Sequence, residues 1–397
     1  MNFELTEDQK IIQQIVQEFF QKEWSGDHTR EIMADSKGYD PRLWKEMTEL
    51  GYTRLIVPEI YEGTDGDFLE LTLFMEEMGK HVVPSPFFTT ACQCMPAILE
   101  YGSDAHKAAI LPRIGAHGEI WSFALNEICA DYDANDIQLT ASEKANGFVL
   151  NGIKLFVPYA NSADYLLVVA RTEQISTTAE EGISVFMVAT NSDGIDIEEM
   201  PTAAPGVKCK VRFNDVAIPA DAILGSLNRG WEIVEYILEH GAVLKAAEMA
   251  GGAQAALGLA VRYAKERIQF DRPIGSFQAI QHRLVNMLKE VESLRKQVYE
   301  AAWNISVGSP SRLLNASAKA MANEAYHRVC FDAVAIHGAI GWTREMDVSL
   351  YLLRSKDLEN DCGGLDFHKE WIAAELEKKD LKFLLTDRLD EPVEAAS

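Results

Sequence analysis

The chain has 397 residues, 47% hydrophobic and 25% charged, a length that predicts two or three packing units whose core needs no disulfide or metal. Its formal net charge of −24 argues against binding of nucleic acid or of an anionic membrane surface, because both need a basic surface. A local group of Lys and Arg can still hold an anionic ligand on an acidic protein.

Residues 1–118 are predicted to form a helical N-terminal domain. Thr6 and Gln9 fit a capping box, in which each side chain accepts a hydrogen bond from the backbone of the other residue. Hydrophobic residues then recur at helical spacing from Ile11 to Phe20. Further helices are predicted near Phe68–Met78 and Ala105–Ile114.

Residues 119–224 are predicted to form a middle antiparallel β domain, because short apolar runs alternate there with turn residues. Asn151-Gly152, between two such runs, predicts a hairpin turn. Continuous apolar runs at Tyr165–Ala170 and Ile183–Ala189 predict two further strands.

Residues 225–397 are predicted to form a C-terminal four-helix bundle, because the helical period returns at Trp231 and persists. The predicted fold is therefore α+β: a helical domain, an antiparallel β domain and a helix bundle, in that order. The four predicted helices span residues 230–267, 276–306, 311–338 and 364–386.

The expected compartment is the cytoplasm. The chain begins Met1-Asn2-Phe3-Glu4, without the basic and apolar runs of a signal peptide, and no window approaches the ~20 apolar residues of a membrane helix. The six cysteines show no C-x-x-C spacing, so we expect reduced thiols and no metal site.

The segment from Tyr263 to His282 closes one predicted helix, turns and opens the next. It resembles the signature of the flavin-dependent acyl-CoA dehydrogenase superfamily, an R-x-Q-F-G-x-P-I turn followed by phenylalanine and glutamine; Asp271 replaces its glycine. The resemblance implies that Arg267, Gln269 and Phe270 bind the FAD pyrophosphate region across a subunit interface. Arg267 offers a two-pronged donor to phosphate, and Phe270 an apolar wall.

A second stretch, Ala335–Thr343, resembles the superfamily's glycine-rich turn that ends in an aromatic residue and threonine. The resemblance implies that Gly338 and Gly341 let the backbone approach the adenosine half of FAD in a neighbouring subunit. Each glycine alone would also suit a helix C-cap. A family glutamine near this turn is replaced by Ala335.

The resemblance also implies contacts with the flavin ring from the β domain. Ser122–Glu127 stands in place of a family A-x-T-E-P segment, which assigns Leu125 and Asn126 to the ring. Phe156 stands where a family tryptophan covers the flavin. Pro158 replaces the threonine that bonds flavin N5, and it has neither a hydroxyl nor an N–H.

The catalytic glutamate of the superfamily has no clear counterpart. Family members carry it in a Y-E-G segment or on the first long bundle helix, and these positions fall here at Cys362 and Gly241. Asp361, one residue early, is the candidate substitute base, although it also fits a solvated turn residue. Glu248 lies on the same helix face as Gly241 but roughly 10 Å along the axis, which favours a structural role.

The resemblance implies an FAD-dependent acyl-CoA dehydrogenase that oxidises the α,β bond of an acyl-CoA and passes electrons to an electron-transfer flavoprotein. It also implies a homo-oligomer, or a complex with a related acyl-CoA dehydrogenase subunit. Loss of the base, of the N5 threonine and of a loop serine near Asp131 leaves two alternatives. The chain could be a non-catalytic partner subunit, or a CoA-thioester lyase or hydrolase.

Overall fold

The structure, a computed structural model, describes residues 5–129, 131–174 and 178–378. The N-terminal part is helical and begins with the predicted capping box: the Gln9 backbone N–H donates to Thr6 Oγ1 at 3.2 Å, and the Thr6 N–H donates to Gln9 Oε1 at 3.0 Å. Its helices are α1 (Glu7–Glu23), α2 (Gly26–Met33), α3 (Pro41–Glu49), α4 (Phe68–His81), α5 (Met95–Tyr101) and α6 (Asp104–Gly115), with a π-helical segment, Phe88–Cys94, before α5.

The middle part is one mostly antiparallel sheet with the order β6-β7-β3-β2-β4-β5-β8. Strand β1 joins it by parallel pairing with β4. The strands are β1 (Trp121–Ala124), β2 (Thr140–Lys144), β3 (Gly147–Pro158), β4 (Tyr165–Arg171), β5 (Ile183–Ala189), β6 (Ile195–Met200), β7 (Lys208–Pro219) and β8 (Ile223–Leu224).

The hairpin turn predicted at Asn151-Gly152 is wrong. The turn lies at Ala145-Asn146, between β2 and β3, and Asn151-Gly152 lies inside β3. Gly152 has a φ of +146°, and the pairing of β3 with β7 shifts register beside it, so the pair marks a β-bulge. A second Asn-Gly pair, Asn146-Gly147, stands at the true turn.

The C-terminal part is a bundle of long helices, and a short two-stranded hairpin, β9 (Ile268–Gln269) with β10 (Arg272–Pro273), joins the first two. The predicted α+β fold, with its three parts in the predicted order, is confirmed. The additional short helix α10 was not predicted. The bundle helices are α7 (Trp231–Glu266), α8 (Gln278–Ser306), α9 (Arg312–His337), α10 (Asp347–Leu358) and α11 (Leu365–Lys378).

Helices α4 and α7 touch at backbone distance beside Glu248. A Cβ atom on Gly79 of α4 would lie 1.9 Å from the Glu248 carbonyl oxygen, and one on Gly251 of α7 would lie 1.9 Å from that of Glu76. Neither glycine can therefore be enlarged without separating the helices. Within the described ranges, no helix combines the length and apolarity needed to cross a membrane.

Candidate active site

The three residues assigned to the flavin ring lie around one pocket. Leu125 and Asn126 follow β1, Phe156 lies near the end of β3, and Cys362, in the loop after α10, also lines the pocket. Phe156 is 43% exposed, with its backbone at a φ of +55°. Asn126 Oδ1 is buried without a hydrogen-bond partner among the described residues. An apolar wall with one unpaired amide oxygen fits a flat heteroaromatic ring such as a flavin.

A buried ion pair fixes the segment that carries Leu125 and Asn126. Lys154, fully buried on β3, donates from Nζ to Glu127 Oε1 at 2.7 Å and to the Leu125 carbonyl at 2.9 Å. Glu127 also accepts the backbone N–H groups of Gln138 and Leu139. Burial lowers the pKa of Lys154 to about 8, while Glu127 opposes that shift. The pair therefore holds one wall of the pocket in place.

The two positions that the resemblance assigns to the superfamily's glutamate, 241 and 362, meet in space. A Cβ atom on Gly241 of α7 would lie 2.8 Å from Cys362 Sγ and 3.5 Å from the Phe88 ring. Gln93 Nε2 lies 3.6 Å from the same sulfur. Burial, with Asp361 next, raises the pKa of the Cys362 thiol to about 12. The thiol is therefore a poor proton acceptor at neutral pH.

Asp361, the candidate substitute base, also lines this pocket, but it is engaged by cations. Its Oδ1 accepts a hydrogen bond from Lys208 Nζ at 3.2 Å, and its Oδ2 lies 3.6 Å from Lys245 Nζ. Burial alone would raise the pKa of this carboxyl, but Lys208 and then Lys245 outweigh it and hold the pKa well below its usual range. This arrangement suits a permanent anion better than a general base.

Asp361 belongs to a group of six ionised side chains that we call the charged cluster. Arg354 Nε donates to Glu248 Oε1 at 2.9 Å, and Lys245 Nζ donates to Glu248 Oε2 at 2.8 Å. Arg354 also pairs with Asp357 at 2.9 Å, as Lys208 does at 2.7 Å. The structural role expected for Glu248 agrees with these contacts. The charged cluster comprises Lys208, Lys245, Glu248, Arg354, Asp357 and Asp361.

The residues of the two signatures lie apart from the ring pocket, at the end of the bundle. Arg267 and Gln269 are exposed, and Phe270 is 86% exposed. The two signatures are neighbours, because Tyr263 at the end of α7 stacks on His337 at the end of α9 with ring centroids 4.4 Å apart. Gly338, with a φ of +70°, is exposed and has open space where a Cβ would be, whereas Gly341 is buried.

The sequence analysis missed the charged cluster and the residues Phe88 and Gln93. The cluster members are spread from residue 208 to residue 361, so no local motif connects them. One signal was available: Lys245 and Glu248, three residues apart, interrupt an otherwise apolar stretch of α7. Charged residues on a buried helix face indicate an internal ion pair or a site.

Comparisons with known proteins agree with this architecture over almost the whole chain. Three family models match, described as the N-terminal domain (residues 6–118), the middle domain (122–216) and the C-terminal domain (228–376) of acyl-CoA dehydrogenase. The chain belongs to the acyl-CoA dehydrogenase family of flavin-dependent oxidoreductases, and the resemblance seen in the sequence is confirmed.

Individual relatives match over most of both chains. "Probable acyl-CoA dehydrogenase YngJ" of Bacillus subtilis is 33% identical, over 95% of this chain and 100% of the relative. The structure of butyryl-CoA dehydrogenase from Megasphaera elsdenii superposes with a TM-score of 0.89 at 29% identity, covering 95% of this chain and 100% of that one. "Caffeyl-CoA reductase-Etf complex subunit CarC" of Acetobacterium woodii is 27% identical, over 86% of this chain and 91% of the relative.

Proposed function

We propose that the chain binds FAD with its ring against Leu125, Asn126 and Phe156, and acts at the α and β carbons of an acyl-CoA thioester. The observation that carries the proposal is that Cys362 lines this pocket and that Gly241 lies against the Cys362 sulfur. An acyl group held there would lie between the ring and the place where the family carries its base. FAD, when bound, supplies hydride-transfer chemistry.

The same arrangement leads us to propose that proton removal from the α carbon is slow in this chain alone. Gly241 offers no side chain, and the Cys362 thiol stays protonated at neutral pH. The Asp361 carboxylate faces Lys208 and is a weak base. A positioned general base contributes about 10²–10⁴-fold in rate. This observation favours, as a second candidate, a partner subunit in a mixed complex whose other subunit carries the base.

We further propose that the exposed residues Arg267, Gln269 and Phe270, together with Gly338 and Gly341, contact the pyrophosphate and adenosine of FAD in a neighbouring subunit. Among the described residues, the Arg267 guanidinium has neither an ion pair nor a hydrogen bond, so it is available to a phosphate. For the electron partner we propose an electron-transfer flavoprotein, in line with the Etf complex named for the caffeyl-CoA reductase relative.

An absorption spectrum tests the proposal. The purified protein should carry flavin absorption or acquire it on incubation with FAD. Anaerobic addition of butyryl-, octanoyl- and palmitoyl-CoA should perturb the flavin bands at once and bleach them only slowly. A protein that takes up no FAD, alone or with its copurifying partner, would contradict the proposal. Rapid bleaching would support the proposed dehydrogenase activity but contradict the proposal that proton removal is slow. The variant Asp361→Asn would then show whether Asp361 is the base.

A further inference from the structure

The charged cluster lies directly beside the proposed reaction site. Phe88, Pro158 and Asp361 line both the ring pocket and the cavity that holds the cluster. Lys245 follows Gly241 by one turn of α7, about 6 Å along the helix axis. Its Nζ lies 3.8 Å from the centroid of the Phe88 ring. An acyl chain whose α carbon lies between Gly241 and the flavin therefore has the cluster as its neighbour.

The cluster is electrically balanced and mostly buried, although the side chain of Lys208 is 19% exposed and that of Asp361 is 25% exposed. Lys208, Lys245 and Arg354 supply three positive charges, against three negative charges from its carboxylates. Lys245 is 3% exposed and Glu248 is 5% exposed. An acyl chain without polar groups, packed against these charged side chains, would displace water from them without replacing the hydrogen bonds of that water, which is unfavourable. An additional carboxylate or ammonium would leave one buried charge uncompensated.

The two cluster members nearest the reaction site have unused hydrogen-bonding capacity. An ammonium has three N–H donors, and that of Lys245 has one acceptor within hydrogen-bond distance, Glu248 at 2.8 Å. Asp361 Oδ2 has, among the described residues, only the 3.6 Å ion pair with Lys245. A group that both donates and accepts a hydrogen bond could join these two side chains without changing the net charge.

We propose that the acyl group of the substrate carries a neutral hydrogen-bonding group, a hydroxyl or a carboxamide, a few carbons beyond the α carbon. This group donates to Asp361 and accepts from Lys245. The inference rests on the proposed function, because it takes the ligand to be a CoA thioester. It makes Lys245 and Asp361 the residues that determine acyl specificity in this chain.

Binding measurements on the FAD-loaded protein test the inference without depending on turnover. Isothermal titration calorimetry compares 4-hydroxybutyryl-CoA, pentanoyl-CoA, succinyl-CoA and free CoA. Pentanoyl-CoA matches the hydroxy compound in size but replaces its hydroxyl with a methyl group. We expect 4-hydroxybutyryl-CoA to bind about tenfold or more tightly than either pentanoyl-CoA or succinyl-CoA, the effect of about one buried hydrogen bond to a charged group.

A charge-balanced double variant provides the second arm. Lys245→Met with Glu248→Gln removes one charge of each sign and keeps an acceptor for Arg354. We expect the preference for the hydroxy compound to fall to within about threefold. The matched control is Lys210→Met with Glu198→Gln, an exposed pair 3.1 Å apart on β7 and β6, which should leave the preference unchanged. Should the first variant not fold, the comparison of ligands on the unmodified protein decides alone.

The outcomes separate the inference from the function on which it rests. Pentanoyl-CoA or succinyl-CoA binding as tightly as 4-hydroxybutyryl-CoA, or more tightly, would overturn the inference and leave the proposed function intact. Equal binding of all four ligands, including free CoA, would also overturn it, because the cluster would then not face the acyl group. Failure of every CoA compound to bind would overturn the proposed function and the inference with it.

Discussion

Gly241 and Cys362 occupy one space from two elements, and this single contact decides how a base could be restored. A side chain larger than glycine at position 241 meets the Cys362 sulfur at 2.8 Å, so the two positions exclude each other. The side chain at position 362 has room because Gly241 places no side chain in the shared space. A carboxylate can therefore be introduced from the loop more readily than from the helix.

We predict that Cys362→Glu speeds flavin reduction by butyryl-CoA by about 10- to 100-fold, since a positioned base contributes about 10²–10⁴-fold and the graft will be imperfect. Stopped-flow absorbance under anaerobic conditions measures the rate. Gly241→Glu alone should gain little because it clashes with the sulfur, whereas Gly241→Glu with Cys362→Gly should gain as much as Cys362→Glu. No gain in either design would mean that the pocket lacks more than a base.

Arg267→Ala should weaken FAD binding by about 1.5–3 kcal/mol, the effect of losing a hydrogen bond to a charged phosphate. Fluorescence titration of apoprotein with FAD measures the change. Lys265→Ala is the matched control, because Lys265 is an exposed cation two residues away that the superfamily signature does not include. Equal losses in both variants would indicate general electrostatics instead of a specific phosphate contact.

The loop between α10 and α11 is held in place by hydrogen bonds from α9 and α11. Lys319, fully buried, donates from Nζ to the carbonyls of Leu358 at 3.1 Å and Gly363 at 3.3 Å. His368 Nε2 lies 2.9 Å from the Cys362 carbonyl, which can only accept, so Nε2 carries the proton. These bonds fix the left-handed backbone at Cys362, where φ is +57°.

This loop should make the protein sensitive to mild acid. Burial, with Lys319 next, lowers the pKa of His368 to about 3, whereas an unfolded histidine titrates near 6.5. Between these values the unfolded chain binds more protons, so the free energy of unfolding falls as the pH falls. From pH 7.5 to pH 5 the contribution of His368 is about 2 kcal/mol.

We predict that His368→Gln, which keeps an N–H donor and does not titrate, reduces the stability lost between pH 7.5 and pH 5 by about 2 kcal/mol. Urea unfolding at both pH values provides the comparison. His282→Gln serves as the control because His282 is exposed on α8. Identical pH dependence in the His368 variant and the unmodified protein would show that this imidazole does not govern acid stability.

Elements with strong periodicity were predictable from the sequence. The position of a turn was not predictable where two similar turn sequences stand close together. The bundle helices follow uninterrupted helical spacing, and α7 was placed to within a residue or two at each end. The hairpin was misplaced because two Asn-Gly pairs stand five residues apart, and local turn preference cannot distinguish a turn from a bulge. The choice depends on pairing with β7, which is distant in sequence.

The candidate site was also only partly predictable from the sequence, because its residues come from distant parts of the chain. The family signatures led to Cys362 and Gly241 one at a time, and their contact became visible only in the fold. The charged cluster depends on α7, β7 and α10 meeting, so no sequence window contains it. Local patterns predict which residues are present, whereas the balance of buried charge depends on which distant elements pack together.

The bundle carries an exposed apolar surface, formed by Val285 and Leu288 on α8 and Phe331 on α9, which we call the α8–α9 surface. Leu288 is 48% exposed and Phe331 is 51% exposed. Two ion pairs, Arg283 with Asp332 and Arg328 with Glu290, join the same stretches of the two helices. Exposed large apolar side chains on a helix bundle are candidates for an interaction surface.

We predict that the chain sediments at micromolar concentration as a multiple of its 44.2 kDa mass, through the α8–α9 surface. Leu288→Glu with Phe331→Glu should give the 44.2 kDa species, because it places charges in an apolar contact, and should lose bound FAD if Arg267 acts across the interface. Ile60→Glu is the control, since Ile60 is an exposed apolar residue of the N-terminal part. Sedimentation velocity at 0.15 M salt, which screens repulsion between acidic chains, measures the mass. A 44.2 kDa unmodified protein that retains FAD would contradict both the assembly and the proposed role of Arg267 across it.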